Sequence, residues 1–416
     1  MSKKIDERLP REIGEGVLPN HASIQSPWNK LVSYHDCAHY CQRYTAVVGA
    51  ALMQAYRILV PDYVERSTLI CQNAYNRLHY TTHNIPGYRE NTMDNELNVH
   101  PFCAGNFTGG LSGDAGDDGL LMCGRVNDFG SYRVEKELDV CYWDIIGSEL
   151  CRSTTQSLQA VADSFAEMRH EGPRLELHMV EAKGCGDRHC RIVGECRKKY
   201  PMPEHDIWEC FGPVATADQI KFTTEEYTVK ESMVFREECG NRYISGTCKE
   251  DDSTSLYGMY VNMTSGCTYL IPTLEQLIME GKVTEEFVSH VIKCVMEAAG
   301  KAYFAEGYAK EAFCHWVGAP RDVDDGRLMG AHIEMFLQAM AIPYEIEAFN
   351  KDEVIYRINR LALSCYMPRM CNIYVAYWYG MTKTLVNAMW SLWEEQGDAP
   401  AEQLRIKIAK KIDKFC

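Results

Sequence analysis

Residues 174–195 show the clearest secondary-structure pattern in the chain. Polar and apolar residues alternate over the first half of this segment, which is typical of a β-strand with one buried face. The residues on one face are Leu175, Leu177, Met179 and Glu181. A turn with two glycines follows at 184–187, and a second strand is predicted from His189 to Glu195. This part of the chain is therefore expected to belong to a β-sheet.

Helical periodicity surrounds the two strands. Ser26 followed by Pro27 is typical of a helix start, and a mainly helical region is predicted from there to about residue 83. A further strand is predicted from Tyr132 to Val140, and a helix from Ile145 to Met168. The composition, with 46% hydrophobic and 24% charged residues, is that of a folded protein. We therefore predict an α+β fold, with a helical N-terminal region and an antiparallel sheet that ends in a closing hairpin.

Four segments are predicted along the 416 residues. They are an N-terminal arm (1–27), the domain that contains the hairpin (28–210), a β-rich middle segment (211–275) and a mostly helical C-terminal half (276–416). Tyr356-Arg357-Ile358 precedes Cys365-Tyr366 at the spacing with which Tyr132-Arg133-Val134 precedes Cys141-Tyr142. This short match fits a chance coincidence as well as a true repeat, so a degenerate second copy in the C-terminal half stays open.

Charge and hydropathy exclude several kinds of partner. Acidic residues exceed basic ones by 15, and the pI is about 5.4, which argues against nucleic acid or an anionic membrane as the partner. No apolar run reaches the roughly 18 residues of a transmembrane helix, and the N-terminus lacks the apolar core of a signal peptide. We therefore expect a cytoplasmic protein.

Cysteine is unusually frequent, with 19 residues. In a cytoplasmic protein this number does not indicate a disulfide scaffold. Most of the cysteines are expected to be small buried hydrophobic residues, in a protein from a reducing, anaerobic cell. A few are expected to be thiolate ligands of a metal or nucleophiles.

The hairpin resembles the closing hairpin of the 4-vinyl-reductase-type domain, which is also the sensor module of bacterial activators of aromatic catabolism. The shared signature is present as Gly186-Asp187, Cys190-Arg191 and Ile192-Val193, with Cys141-Tyr142-Trp143 upstream. The resemblance covers about residues 132–211, and it reaches back to residue 28 if the preceding helices belong to the same ligand-binding domain. The middle and C-terminal segments also resemble hydrolases of 2-aminothiazoline-4-carboxylate, whose relatives are cysteine-rich.

The resemblance implies a zinc (or iron) ion held beside the hairpin by cysteines and a glutamate. Cys141 and Cys190 match the family's ligands by position, whereas Ala182 stands where the family has a cysteine. Glu181 and Cys185 lie close by in the sequence and are the expected substitutes. The expected metal ligands are therefore Cys141, Glu181, Cys185 and Cys190.

The position of Glu181 is independently unusual. Its strand face is otherwise apolar, and a carboxylate that points toward an apolar layer needs a partner because an unpaired buried charge is costly. A metal ion held by thiolates would be such a partner. An arginine such as Arg188 or Arg191 is the alternative, and it would leave the cysteines as ordinary packed residues.

A second candidate cluster lies between Tyr34 and Cys41. If this segment is helical, His35 and His39 share one stripe, whereas its cysteines lie on roughly the opposite side and cannot close around the same ion. His35 and His39 are therefore the candidate catalytic pair, as a general acid and base or as ligands. The alternative is an ordinary helix surface.

Two functions from different classes remain open. The first is a metal-dependent hydrolase or lyase for a small cyclic or aromatic carboxylic acid, in which the metal activates water and His35 or His39 carries the proton. The second is a non-catalytic sensor or carrier of a small aromatic ligand with a structural zinc. The sensor activators also carry ATPase and DNA-binding modules, and this chain has no P-loop, which favours the enzyme. The resemblance further implies a homodimer.

Overall fold

The computed structural model of the chain describes ten stretches. They are residues 23–84, 125–129, 133–138, 141–169, 175–196, 270–305, 307–339, 342–364, 367–395 and 402–411. The chain forms two compact units, which we call the central unit (Gln42–Glu285) and the terminal unit (Met1–Cys41 with Glu286–Cys416). The first described elements are the short antiparallel strands β1 (Ser23–Gln25) and β2 (Leu31–Ser33) of the terminal unit.

The helix predicted to start at Ser26 is not present, because the chain turns there instead. The Ser26 hydroxyl accepts hydrogen bonds from the backbone N–H groups two and four residues later (3.2 and 3.1 Å) and donates one to the carbonyl of Val317 (2.7 Å). Asn29 has a left-handed backbone, with φ of 61°, which an α-helix cannot continue. A serine that can cap a helix can equally close a turn. The first helix, α1, spans Tyr34–Leu59.

The central unit is an antiparallel sheet covered by helices. Its helices after α1 are α2 (Tyr63–Asn84), α3 (Ser148–Arg169) and α4 (270–279), and its strands are β3 (Arg125–Phe129), β4 (Arg133–Leu138), β5 (Leu175–Glu181) and β6 (Cys190–Cys196). The strand order is β3-β4-β6-β5. The predicted hairpin, the strand before it and the helix between them are thus confirmed within a few residues. Of the predicted β-rich segment 211–275, only residues from 270 onward are described, and they are helical.

The core of the central unit lies between α3 and one face of the sheet. Its buried residues are Leu138, Cys151, Leu158, Leu177, Met179, Ala182, Cys190 and Ile192, with Cys141 packed against them. The alternation predicted for β5 is observed, since Leu177 and Met179 face α3. Two of the core residues are cysteines, so part of the thiol content is structural packing, as the sequence predicts.

The terminal unit repeats this combination of helices and an antiparallel sheet. Its helices are α5 (Glu285–Tyr303), α6 (Gly307–Val317), α7 (Arg327–Ala339), α8 (Arg360–Ser364) and α9 (Pro368–Leu385), and its strands are β7 (Tyr344–Phe349), β8 (Glu353–Asn359), β9 (Trp390–Glu394) and β10 (Gln403–Lys410). Helix α7 is buried along its whole length. The C-terminal half is therefore helical as predicted, but it also contains a four-stranded sheet.

The two sheets share one strand order. The strand order of the terminal unit is β7-β8-β10-β9, which corresponds strand by strand to β3-β4-β6-β5 of the central unit. Each sheet consists of two hairpins joined by helical structure, and the second strand of each hairpin lies at the centre of the sheet. The short sequence match does not follow this correspondence. Arg133 is the first residue of β4, whereas Arg357 is the fifth residue of β8. A duplicated topology is thus visible in the structure, but the matched residues occupy different positions in it.

Candidate thiol centre

Cys141 and Cys190 lie in contact beneath the hairpin turn of the central unit. Cys190 is the first residue of β6 and is 3% exposed, and Cys141 precedes a short 3-10 helix, Tyr142–Ile146. A hydrogen bond from the Cys141 thiol lowers the pKa of Cys190, and the backbone N–H of Lys183, 3.4 Å from the Cys190 sulfur, acts in the same direction. The same hydrogen bond, together with burial, raises the pKa of Cys141. The two residues therefore form a hydrogen-bonded pair in which Cys190 loses its proton more readily than Cys141.

Cys151 belongs to the same cluster, although the sequence analysis did not select it. It is the fourth residue of α3 and is 7% exposed. Burial raises its pKa, and so do the neighbouring Cys190 and Cys185. A Cβ atom at Gly184 would lie 2.6 Å from the Cys151 sulfur, so the turn can approach this thiol only because residue 184 is glycine.

Cys185 completes the cluster from the solvent side. It ends the 3-10 turn Lys183–Cys185, its side chain is exposed, and it lies close enough to influence the pKa of Cys151. Of the predicted ligands, the three cysteines are thus brought into one region by the fold. Cys141, Cys151, Cys185 and Cys190 are all free thiols.

Glu181, the fourth predicted ligand, lies on the other face of the sheet. The pairing of β5 with β6 shifts at this point, because Met179 pairs with Ile192 and Glu181 with Arg191. A β-bulge of this kind moves the following side chain to the opposite face. Ile192 faces the core, whereas Arg191 and Glu181 face away from the buried Cys190.

The Glu181 carboxylate is bound by two basic side chains on that face. Its Oε2 accepts hydrogen bonds from Nε of Arg191 and from Nε2 of His189, each at 2.8 Å. The hydrogen bond from Arg191 lowers the pKa of Glu181, and that from His189 adds to it. Arg191 is thus the partner that the sequence analysis named as the alternative to a metal. The structure therefore brings Cys141, Cys185 and Cys190 into one region and does not bring Glu181 to them.

The remaining thiols do not form a closed ligand set as they stand. Within the described stretches, no three His, Cys, Asp or Glu side chains are placed closely enough to hold a metal ion. A metal at this position would need the four cysteines to converge further. The donor set itself consists of two buried cysteines, a partly buried one and an exposed one on a short turn, and four thiolates of this kind are a ligand set that zinc prefers.

The predicted pair His35 and His39 lies in the first turns of α1, so the segment is helical as expected. Their side chains lie outside the described part of the structure. Tyr40, the next residue, forms a hydrogen bond through its hydroxyl with Nδ1 of His332 in the buried helix α7. Burial lowers the pKa of His332 to about 3, so this imidazole is neutral at physiological pH. The sequence analysis did not select His332, since a single histidine in an apolar helix gives no signal.

Comparisons with family models, with curated proteins and with solved structures give no match for this chain. The resemblance of the hairpin to the 4-vinyl-reductase-type domain therefore stays a prediction. No helix of the described stretches is long and apolar enough to cross a membrane.

Replacing Cys141 by alanine is expected to raise the pKa of Cys190, because the replacement removes the S–H donor that stabilises the thiolate. Cys141→Ser is the control, since its O–H still donates and should keep the pKa close to that of the unmodified protein. The measurement is the 13Cβ chemical shift of Cys190 as a function of pH. Equal titration of all three proteins would mean that Cys141 is not the donor.

Proposed function

We propose that the thiol centre of the central unit binds a zinc-class metal ion through Cys141, Cys151, Cys185 and Cys190. The metal stabilises a domain that binds a small cyclic or aromatic carboxylic acid without transforming it. The observation that supports this proposal is that Cys141, Cys151 and Cys190 lie in one cluster beneath one turn, with Cys151 and Cys190 buried and Cys141 partly buried.

Cys151 takes the place that the sequence analysis gave to Glu181. Four cysteine thiolates are a common ligand set of structural zinc sites, and such a set needs no carboxylate. When bound, the metal supplies cross-links between α3, the 3-10 helix before it and the hairpin. The hydrogen bond from Cys141 lowers the pKa of Cys190, which makes the deprotonated state that metal binding requires more accessible. Iron is the alternative metal, because thiolates also suit it.

Burial supports a structural rather than a catalytic site. Cys151 and Cys190 lie within the apolar core between α3 and the sheet, where water has little access. A catalytic zinc site keeps one position open for water or substrate. Thiols that are packed among leucine, isoleucine and methionine side chains are better suited to a closed site.

A metal-dependent hydrolase is the second candidate, and the exposure of Cys185 favours it. If this residue stays at the surface, the three other cysteines provide one ligand fewer than a closed site requires, as in catalytic zinc sites. The variant Cys185→Ser separates the two candidates. It should weaken metal binding strongly if the site is closed, and it should leave metal binding nearly unchanged if three cysteines suffice.

The cellular setting of this proposal is the cytoplasm, where thiols stay reduced. The eight cysteines that the structure shows as free thiols agree with such a compartment. We further propose that the protein is a homodimer, as the resemblance to the sensor domains implies.

The proposed metal site is tested by the metal content of the full chain, purified without oxygen, and by zinc competition against a chromophoric chelator. Cys151→Ser is expected to lower zinc affinity by more than the roughly 10–100-fold that is typical of losing a residue that merely supports a ligand. Glu181→Gln should bind zinc as the unmodified protein does. Cys294→Ser, an exposed cysteine of the terminal unit, is the matched control.

The two sets of ligands give opposite results in this experiment. Loss of zinc in Glu181→Gln with retention in Cys151→Ser would support the set expected from the sequence. An absence of metal and of zinc affinity in the unmodified chain would overturn the metal proposal.

A further inference from the structure

A cleft of about 470 Å³ lies within the terminal unit, between α5, α9 and β9. The two helices run in the same direction, since Ser289 of α5 contacts Arg369 of α9 (3.5 Å) near their N-termini and Gly300 meets Gly380 eleven residues later in each. These two glycines allow the backbones of α5 and α9 to contact each other at this point. The N-terminal halves of the helices then enclose the cleft, with β9 contributing its wall.

The interior of the cleft is apolar and aromatic. Buried Ile292, Ala376 and Leu392 come from the two helices and the strand. Tyr379 of α9 and Trp393 of β9 add two aromatic rings to the lining. Rings of this kind provide flat surfaces for stacking or edge contacts with a planar ligand. The size is within the range of small-molecule sites.

The charges of the cleft favour an anion. Its two carboxylates are both bound by cations, Glu297 by Lys293 at 2.7 Å and Glu394 by Arg360. Arg369 and Lys411 then add two further positive charges to the lining. The lining therefore carries three cationic side chains, one of which is paired with Glu297, and two carboxylates.

Uncharged hydrogen-bonding groups lie in the same lining. Ser289 and Asn372 both face the cleft on the side of Arg369. The Lys411 ammonium lies 4.9 Å from the centre of the Trp393 ring, so a cation and an aromatic surface are adjacent. A ring that carries a carboxylate matches this combination, because its apolar part and its charge can be satisfied at once.

We propose that this cleft binds a small carboxylate that bears a ring, with the ring against Tyr379 and Trp393 and the carboxylate attracted by Arg369 and Lys411. The inference rests on the proposed function for the class of ligand and gives that ligand a site. The site belongs to the terminal unit, whereas the thiol centre belongs to the central unit. The two can therefore be tested separately.

The test is binding of benzoate to the full chain, measured by calorimetry and by tryptophan fluorescence, with benzamide as the neutral analogue of equal shape. Benzoate is expected to bind about tenfold more tightly than benzamide. The double variant Arg369→Gln with Lys411→Gln should weaken benzoate binding about tenfold and leave benzamide binding unchanged. Lys351→Gln, an exposed lysine of the same unit outside the cleft, is the matched control.

A single variant keeps the test informative if the double variant does not fold. Lys411 follows β10 at the surface, so Lys411→Gln should fold normally and still weaken benzoate binding measurably. If the unmodified chain binds benzoate and the cleft variants bind it equally well, the inference is overturned while the proposed function stands. If the unmodified chain binds no benzoate up to about 10 mM, both the cleft and the ligand class are overturned. The metal part of the proposed function is then judged by metal content alone.

Discussion

Gly380→Ala is expected to lower the free energy of unfolding of the terminal unit by about 3 kcal/mol or more. A Cβ atom at Gly380 would lie 2.2 Å from the carbonyl oxygen of Glu297, and one at Gly300 would lie 2.1 Å from that of Tyr377. Both oxygens belong to the backbone of the facing helix, so only a displacement of α5 from α9 relieves the overlap. Urea unfolding followed by tryptophan fluorescence measures the change, because five of the seven tryptophans belong to this unit.

Gly49→Ala is the control for this prediction. Gly49 lies in α1, where an added Cβ would be 2.6 Å from Cδ1 of Ile146, the end of a flexible side chain. The gain in helix propensity from glycine to alanine, roughly 0.8–1 kcal/mol, offsets a small rearrangement of that side chain. We therefore expect little net change in stability. Equal destabilisation by the two substitutions would contradict the argument that backbone contact is what distinguishes Gly380.

The same crossing shapes the proposed ligand site. Separation of α5 from α9 would widen the cleft, so Gly380→Ala should also weaken benzoate binding in any fraction that remains folded. The packing of α5 against α9 and the proposed binding of the ligand therefore both depend on Gly300 and Gly380. The sequence alone does not reveal this, since neither glycine stands out from others within helical segments.

The sheet of the central unit was predictable because apolar and polar residues alternate along its strand β5. Alternation over Leu175–Glu181 and the glycine turn that follows are local signals, and local signals suffice for a hairpin. The bulge next to Glu181 was not predictable in this way. A strict period of two places Glu181 on the apolar face, and a single extra residue reverses that assignment.

Cys151 was missed for a different reason. Leu158 of α3 lies in the core, and Cys151 precedes it by seven residues, so helical spacing puts the two residues on the same face. Helical spacing is compatible with a buried position for Cys151, but it singles out no function for this residue. The periodicity does not indicate the tertiary contacts of α3 with Gly184 and Cys190, because these contacts form only in the folded chain.

The strands of the terminal unit have a weaker sequence pattern than those of the central unit. Consecutive residues Val354, Ile355 and Tyr356 of β8 are all buried, so the strand does not alternate and its periodicity cannot be told from that of a buried helix. The unit also combines both ends of the chain. Association of segments that are far apart in sequence is not a local property, and no spacing of residues indicates it.

Glu149→Ala is expected to destabilise the central unit by about 3–5 kcal/mol, because it removes one partner of a buried ion pair. Oε1 of Glu149 accepts two hydrogen bonds from Arg66, from Nε at 3.1 Å and from Nη2 at 2.9 Å, and the side chains are 2% and 6% exposed. Arg57 approaches the other oxygen at 3.6 Å. Without the carboxylate, the guanidinium of Arg66 stays buried without its counter-charge. Urea unfolding followed by far-UV circular dichroism measures the effect.

A partly exposed pair provides the matched control. Lys407 and Glu353 form an ion pair at 2.9 Å with side chains 23% and 33% exposed, so Glu353→Ala should cost at most about 1 kcal/mol. Arg66 also donates hydrogen bonds to two backbone carbonyls at the end of α1. If Glu149→Ala and Glu353→Ala lower the free energy of unfolding by similar amounts, these carbonyls alone satisfy the guanidinium of Arg66.

Because Glu149 lies in the first turn of α3, two residues before Cys151, its loss should also loosen the end of the helix that holds this thiol. Zinc affinity should then fall in Glu149→Ala and remain unchanged in Glu353→Ala, which connects the buried ion pair to the proposed metal site.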